Sequence, residues 1–262
     1  EFYRTHETPK TYVIINLFYK LPEFILLSYI IFIYLVFKDK KFFFTHFKFF
    51  KTKLSYLLFI IVFPIVIVPL VMLIIFDGLR YFLFLMPYLS IIPGITIYYL
   101  MYNIKFNIYK FYLISILVLF IYYLFNFFSL TPYQYTYLNI FNGNFSDASK
   151  RFENDYWGVS LKELVSKIEM SEHFNSNNYF KIAYCGINNE TINYYLKRIE
   201  NFRYKEIYNY EDYDYIIMTN RNNGKNVDIK TDMKTCFDTY KGKDILFVKR
   251  NGLILSTIRQ KM

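Results

Sequence analysis

The stretch LSYLLFIIVFPIVIVPLVMLIIF, residues 54–76, decides the fold of this chain. It contains no Lys, Arg, Asp or Glu, and two further stretches, residues 81–104 and 111–146, share this property. About 20 apolar residues in a helix cover the roughly 30 Å hydrocarbon core of a bilayer, and a buried helix of a soluble protein seldom needs so long a run. The pattern therefore predicts an integral membrane protein.

The apolar runs predict four membrane-spanning helices and one helix in the membrane interface. Three spans are placed at Leu54–Phe76, Tyr81–Tyr102 and Phe111–Phe128. The fourth, Pro22–Phe37, is short and gains length from the residues just before it. Thr11–Tyr19 precedes this span and is interpreted as a helix that lies along the membrane surface. The predicted architecture is thus a polytopic α-helical bundle with about four spans.

The positions of the lysines predict the orientation of the bundle. Loop 38–53 carries six lysines against one acid, Asp39, and loop 103–110 carries two more lysines. Lys and Arg in short loops are retained on the cytoplasmic side. Two spans separate these loops, so both are expected in the cytoplasm, whereas residues 77–80 and everything after Phe128 are expected on the opposite side.

The net charge of +10 follows largely from these loops. The long C-terminal region is nearly balanced in sign, which argues against nucleic acid as a partner.

Composition changes after Ser129, and residues 132–262 are predicted to form a small extracytoplasmic α/β domain, with 1–131 as the transmembrane region. Ser160 is predicted to be an N-cap, with Glu163 at the capping-box position. The predicted elements are helices at Leu161–Glu172 and Glu190–Ile199, strands at Phe180–Tyr184 and Tyr215–Thr219, and a hairpin in ILFVKRNGLILSTI (245–258) that turns at Asn251-Gly252.

Common enzyme signatures are absent from the sequence. It has no Gly-rich phosphate loop, HExxH, GxSxG or CxxC motif, and its three histidines are scattered. We therefore expect neither a metal nor a cofactor. Cys185 and Cys236 both fall in the domain assigned to the outside, where a disulfide is permitted, but two unpaired thiols fit the sequence equally well.

The segment DGLRYFLFLMPYL, residues 77–89, contains the first polar constellation. Arg80 lies where one span ends and the next begins, a depth at which a guanidinium can hold a lipid phosphate through paired hydrogen bonds. Asp77 can orient this arginine or contact a sugar hydroxyl. A local ion pair that ends two helices at the membrane surface explains the same residues without a ligand.

The second constellation lies in LTPYQYTYLNIFNGNFSDASKRFENDYWGVSLKEL, residues 130–164. Carboxylates next to aromatic rings suit a sugar, because the rings stack on its apolar face while the carboxylates accept from its hydroxyls. A well-packed connector between the domain and the bundle is the alternative interpretation. The candidate substrate-binding residues here are Glu153, Asp155, Tyr156 and Trp157.

PYQYxYxN followed by RFExDYWG, together with DGxRxxLFxxP upstream and Thr219–Arg221 (TNR) downstream, resembles the C-terminal half of bacterial membrane glycosyltransferases. These are the multi-span GT-C proteins related to dolichyl-phosphate-mannose protein mannosyltransferases. The chain begins EFYRTHETPK, without an initiator Met or a signal-type cleavage site, and we expect it to be the C-terminal part of a longer protein.

The resemblance implies a transferase of the bacterial inner or plasma membrane that moves a sugar from a polyprenyl-phosphate donor to an extracytoplasmic acceptor. Arg80 matches a basic group near the donor phosphate, and Asp77 is a further candidate substrate-binding residue. The family's catalytic carboxylate usually lies in the first outer loop, which this chain does not contain, so the catalytic residue stays unknown. The alternative is a non-catalytic, membrane-anchored protein whose soluble domain binds a glycan or a protein.

Overall fold

The chain folds into a helical unit and a sheet-containing unit. The helical unit contains Tyr137–Asn142 in addition to residues up to Phe128, and the sheet unit contains Ser129–Thr136 in addition to residues from Gly143 onward. The connector after the last apolar helix thus contributes first to one unit and then to the other. The computed structural model describes residues 10–71, 79–144, 148, 152, 155, 157–174, 179–200, 202–207, 212–221 and 235–262.

Within the described residues, three helices are long and apolar enough to cross a membrane, or four if a bent pair counts as one span. The bent pair is α1 with α2, whose axes differ by 104°. At about 1.5 Å per residue, the 21 residues of α4 cover about 31 Å, which matches the hydrocarbon core. The helices of this unit are α1 (Tyr12–Lys20), α2 (Glu23–Lys38), α3 (Lys40–His46), α4 (Phe50–Leu70), α5 (Met86–Tyr102, preceded by a 3₁₀ helix at Arg80–Leu85) and α6 (Asn107–Ser129).

Helices α2 and α5 pack side by side and run in the same direction. Near their beginnings, Tyr29 Oη donates to the Leu89 carbonyl at 2.9 Å, and near their ends, Tyr99 Oη donates to Asp39 Oδ2 at 3.0 Å. Because the two helices are parallel, the loops that follow them lie at the same end of the unit. Both basic loops therefore share one end, as the sequence predicts.

The predicted spans correspond to helices in the structure. Pro22–Phe37 corresponds to α2, Tyr81–Tyr102 to the 3₁₀ helix with α5, and Phe111–Phe128 to α6. The helix expected at Thr11–Tyr19 is α1. Leu54–Phe76 corresponds to α4, which begins earlier and ends at Leu70; residues 72–78 lie outside the described residues.

The sheet unit contains five strands in the order β2-β1-β3-β5-β4. Strands β2, β1 and β3 are mutually parallel, whereas β5 is antiparallel to both β3 and β4. Helices α7 and α8 carry their apolar faces toward the unit's interior. The elements are α7 (Leu161–Glu169), β1 (Tyr179–Cys185), α8 (Asn189–Leu196), β2 (Arg203–Glu206), β3 (Tyr215–Thr219), α9 (Cys236–Thr239), β4 (Lys243–Arg250) and β5 (Leu253–Gln260).

The predicted β3 and hairpin are confirmed. The hairpin turns at Asn251 (φ 46°) and Gly252 (φ 89°), the positive φ values that an Asn-Gly turn supplies at low cost. Ser160 is the N-cap residue of α7, as predicted, but its side chain makes no capping bond, because its hydroxyl bonds to Asp155. Glu163 likewise turns to Arg250 instead of closing a capping box.

Candidate functional site

Arg80 lies at the end of the helical unit opposite to the two basic loops, 38–53 and 103–110. It is the first residue of the 3₁₀ helix that continues into α5, and α5 ends at Tyr102 beside these loops. Its side chain is exposed. Asp77, its predicted neighbour, lies outside the described residues.

The same end of the helical unit holds a buried carboxylate that sequence reasoning missed. Glu23, the first residue of α2, is only 4% exposed. Its Oε2 accepts from Tyr137 Oη at 2.8 Å and its Oε1 accepts from the Ile140 N–H at 2.7 Å. Burial, followed by the bond to Glu23, raises the pKa of Tyr137 and so favours the protonated phenol that donates this bond. The only sequence signal was an acid directly after Pro22 at the start of an apolar run.

Asn139 holds the end of α1. Its Nδ2 donates to the carbonyls of Phe18 (2.5 Å) and Leu21 (3.0 Å), and its N–H donates to the Tyr19 carbonyl (2.8 Å). Carbonyls in the last turn of a helix have no partner within the helix, so a buried end requires such donors. The asparagine at the end of the PYQYTYLN segment is thus explained by the backbone carbonyls that it satisfies, without any ligand.

In the sheet unit, the same segment reaches two more carboxylates. The first is Glu163 on α7, which accepts from Tyr133 Oη at 2.8 Å and from two nitrogens of Arg250 at 2.6 and 3.3 Å. Lys167 Nζ lies 3.2 Å from Glu163 Oε1. Partial burial opposes ionisation, but the bonds from Arg250, Tyr133 and Lys167 prevail and hold the pKa of Glu163 below its usual value. The guanidinium of Arg250 also lies 4.9 Å from the Tyr133 ring centre.

The second is Asp155, a predicted substrate-binding residue, which is 1% exposed. Its Oδ1 accepts from Tyr135 Oη at 2.6 Å and from the Val159 N–H at 2.8 Å. Its Oδ2 accepts from the Ser160 N–H at 3.1 Å and from the Ser160 hydroxyl, whose oxygen is 2.6 Å from Ser256 Oγ. Four donors occupy the sites that a carboxylate offers, so a substrate hydroxyl would have to displace one of them.

Asp155 therefore shapes the turn that presents Trp157. The indole is 64% exposed, whereas the neighbouring Gly158 adopts φ +64° and has no room for a side chain. A Cβ at this glycine would lie 2.7 Å from Leu161 Cδ1. An exposed indole can stack on the apolar face of a sugar. Glu153 and Tyr156 lie outside the described residues.

The predicted site residues fall in different units. Asp155 and Trp157 belong to the sheet unit and flank one turn, whereas Arg80 belongs to the helical unit. In the part of the chain that the structure describes, no group of three His, Cys, Asp or Glu side chains is arranged to hold a metal ion.

Cys185 and Cys236 form a disulfide. Their Cα atoms are 5.8 Å apart, and both side chains are buried. The bond joins the end of β1 to the start of α9, in a small cluster with Ile216 and Met218 of β3. Of the two alternatives that the sequence left open, the structure thus has the paired one.

Comparison of the chain with protein-family models, curated proteins and solved structures finds no match.

Proposed function

We propose that this chain is the C-terminal portion of an integral membrane glycosyltransferase, which moves a sugar from a polyprenyl-phosphate donor to an extracytoplasmic acceptor. The observation that carries the proposal is the position of Arg80, an exposed cation at the first residue of an apolar helix. The phosphate of a lipid-linked sugar lies at this depth, and a guanidinium binds it with two hydrogen bonds.

The proposal gains support from the residues that carry the family resemblance. Tyr135 of PYQYTYLN bonds to Asp155 of DYWG, and Asp155 bonds to Ser160. Two segments that are separate in sequence thus form one hydrogen-bond network. This network sets the turn that exposes Trp157 for stacking on a sugar.

The proposed orientation places the basic loops in the cytoplasm of the bacterial cell and the sheet unit outside. The Cys185–Cys236 disulfide supports this orientation, because disulfides persist in oxidising compartments and are rare in the cytosol. The protein would then act at the outer face of the inner or plasma membrane, with the bilayer itself as its surroundings.

In the proposed mechanism the donor is already activated, because its sugar is attached to a lipid phosphate. Arg80 stabilises the charge that develops on the phosphate as the glycosidic bond breaks. Trp157 binds and orients a sugar ring. No described carboxylate of this chain is assigned the removal of the acceptor's proton; the resemblance implies that this base lies in the first outer loop of the family.

The test is sugar transfer by the full-length protein in membranes, using radiolabelled polyprenyl-phosphate sugars. Arg80→Ala should lower the transfer rate by about 10²–10³-fold, the usual effect of removing one donor aimed at a developing charge. Arg80→Lys should retain part of the activity, since it keeps the charge but loses the paired bonds. Arg203→Ala, which removes an exposed arginine of β2, is the control. Wild-type transfer rates in Arg80→Ala would refute the role of Arg80.

The second candidate is a non-catalytic, membrane-anchored protein whose sheet unit binds a glycan or a protein. The observation that favours it is the full commitment of Asp155 and Glu163 to hydrogen bonds within the fold. Saturable glycan binding that Trp157→Ala abolishes, in a full-length protein that turns over no donor, would favour this candidate over the transferase.

A further inference from the structure

The lysine-bearing end of the helical unit is one continuous surface. We call the residues of 38–53 and 103–110 together the lysine end. The two segments are in contact, because Lys38 Nζ lies 5.4 Å from the Tyr109 ring centre. Phe42 also packs on the end of α5, which leads into 103–110, with its ring centre 5.2 Å from that of Tyr102. Loops that are separate in sequence therefore add their charges in one place.

The lysine end carries eight lysines and one aspartate, a formal charge of +7. All eight lysine side chains are exposed. The aspartate, Asp39, is used inside the fold: Oδ1 accepts from the Phe42 N–H at 3.1 Å and Oδ2 accepts from Tyr99 Oη at 3.0 Å. Its hydrogen bonds therefore order α3 and α5, and the positive field of the surface is largely uncompensated.

Exposed phenylalanines accompany the lysines. Phe37 is 73% exposed and Phe49 is 69% exposed. Lys40 Nζ lies 5.9 Å from the Phe37 ring centre, and Lys48 Nζ lies 5.3 Å from that of Phe49. Rings beside flexible ammonium groups suit the boundary between acyl chains and headgroups, where the ring enters the apolar layer and the ammonium reaches a phosphate.

Phe49 is held in this position by the backbone. It is the residue before α4 and has φ 59°, ψ 34°, a left-handed conformation that is uncommon for a bulky side chain. On either side of it the chain is anchored, since Phe43 and Phe50 are buried with ring centres 5.3 Å apart. The fold thus turns one ring outward between two that are packed inward.

We propose that the lysine end binds the headgroups of anionic phospholipids in the leaflet it faces. The surface lies at the ends of helices α2, α4, α5 and α6, whose apolar lengths place it at the headgroup layer. A lysine near a membrane surface contributes about 1 kcal/mol, which corresponds to roughly a fivefold change in affinity for anionic lipid. This inference does not use the sugar-transfer proposal and holds or fails independently of it.

The experiment measures which lipids stay bound to the purified full-length protein. The protein is reconstituted in nanodiscs of phosphatidylcholine with phosphatidylglycerol, re-extracted in mild detergent, and its retained lipids are counted by native mass spectrometry. The wild type should retain phosphatidylglycerol several-fold above its share of the mixture, and this enrichment should fall in high salt, which screens exposed charges.

A four-lysine variant with Lys→Gln changes at positions 40, 41, 48 and 51 should reduce the enrichment to about that of the bulk mixture. The matched control places the same change at four exposed lysines of the sheet unit, positions 162, 197, 205 and 249, and should keep wild-type enrichment. Equal enrichment in both variants would overturn the proposal. So would a wild-type protein that retains no excess phosphatidylglycerol, or one that exchanges its bound lipid for added nucleic acid.

Discussion

Removal of the Cys185–Cys236 bond should loosen the parallel part of the sheet in a measurable way. The two residues are separated by 51 positions. Closing a loop of this length removes roughly 14 cal/mol/K from the unfolded chain, or about 4 kcal/mol at 25 °C, and measured disulfides typically reach 2–4 kcal/mol. That range corresponds to about a 30- to 1,000-fold change in the opening equilibrium of the segments that the bond ties together.

The assay is native-state hydrogen exchange on the full-length protein, because a protein with two units has no single free energy of unfolding. Amides of β1 and β3, such as those of Ala183 and Ile216, should lose about 1.5 to 3 decades of protection in Cys185→Ala. Cys236→Ala and the double variant should lose about as much, since either change removes the whole bond. Amides of α5, in the helical unit, serve as the internal control.

Two results would refute this reasoning. One is modification of both cysteines by a maleimide reagent in the denatured, unreduced protein, which would show that the bond is not formed. The other is unchanged exchange of β1 and β3 in the double variant, which would show that packing alone holds these strands. The first result would also remove the support that the disulfide lends to an extracytoplasmic sheet unit.

Three further predictions concern single side chains. The folded protein lowers the pKa of Glu163 from its ordinary value of 4.5. The ionised carboxylate therefore stabilises the fold fully above pH 4.5, and this stabilisation is lost as the pH falls through the lowered pKa of the folded state. Glu163→Gln should flatten the acid limb of a stability–pH curve measured by hydrogen exchange on α7. Glu23→Ala leaves the Tyr137 hydroxyl and the Ile140 N–H without their acceptor, and hydrogen exchange on α1 and α2 should show a loss of about 1–3 kcal/mol of local stability for each orphaned group. Gly158→Ala forces a Cβ against Leu161 at φ +64°, and hydrogen exchange on α7, with an exposed alanine substitution as reference, should show a loss of about 1–3 kcal/mol of local stability.

The long apolar helices were predictable because their signal is local and strong. A run without charges marks each of them. The hairpin was predictable for a similar reason, since Asn251-Gly252 supplies the two positive φ values of a tight turn. The position of the N-cap at Ser160 was predictable from a local rule, but the absence of its capping bond was not. The Ser160 hydroxyl bonds to Asp155 and lies 2.6 Å from Ser256 Oγ, a partner 96 positions away.

The hydrogen bonds that Glu23 and Glu163 accept from the connector could not be predicted from the sequence. Glu23 meets Tyr137 across 114 positions, and Glu163 meets Tyr133 across 30, and neither acid has a neighbour in sequence that hints at its partner. Motifs in a sequence show polar residues that are close along the chain, whereas the hydrogen-bond partners of a buried group are close in space. Burying a carboxylate is costly unless it accepts hydrogen bonds, and here tyrosines that are distant in sequence donate them.

The spacing of the PYQYTYLN segment now has a structural explanation that bears on the proposed function. Every second residue from Tyr133 to Asn139 bonds to a different polar group: Tyr133 to Glu163, Tyr135 to Asp155 and Tyr137 to Glu23, while Asn139 takes the end of α1. The first two bonds lie within the sheet unit and the last two within the helical unit. These requirements account for the motif without any substrate. The resemblance carried by these tyrosines therefore argues for a shared architecture, and the case for sugar transfer depends on residues that the fold leaves exposed, chiefly Arg80 and Trp157.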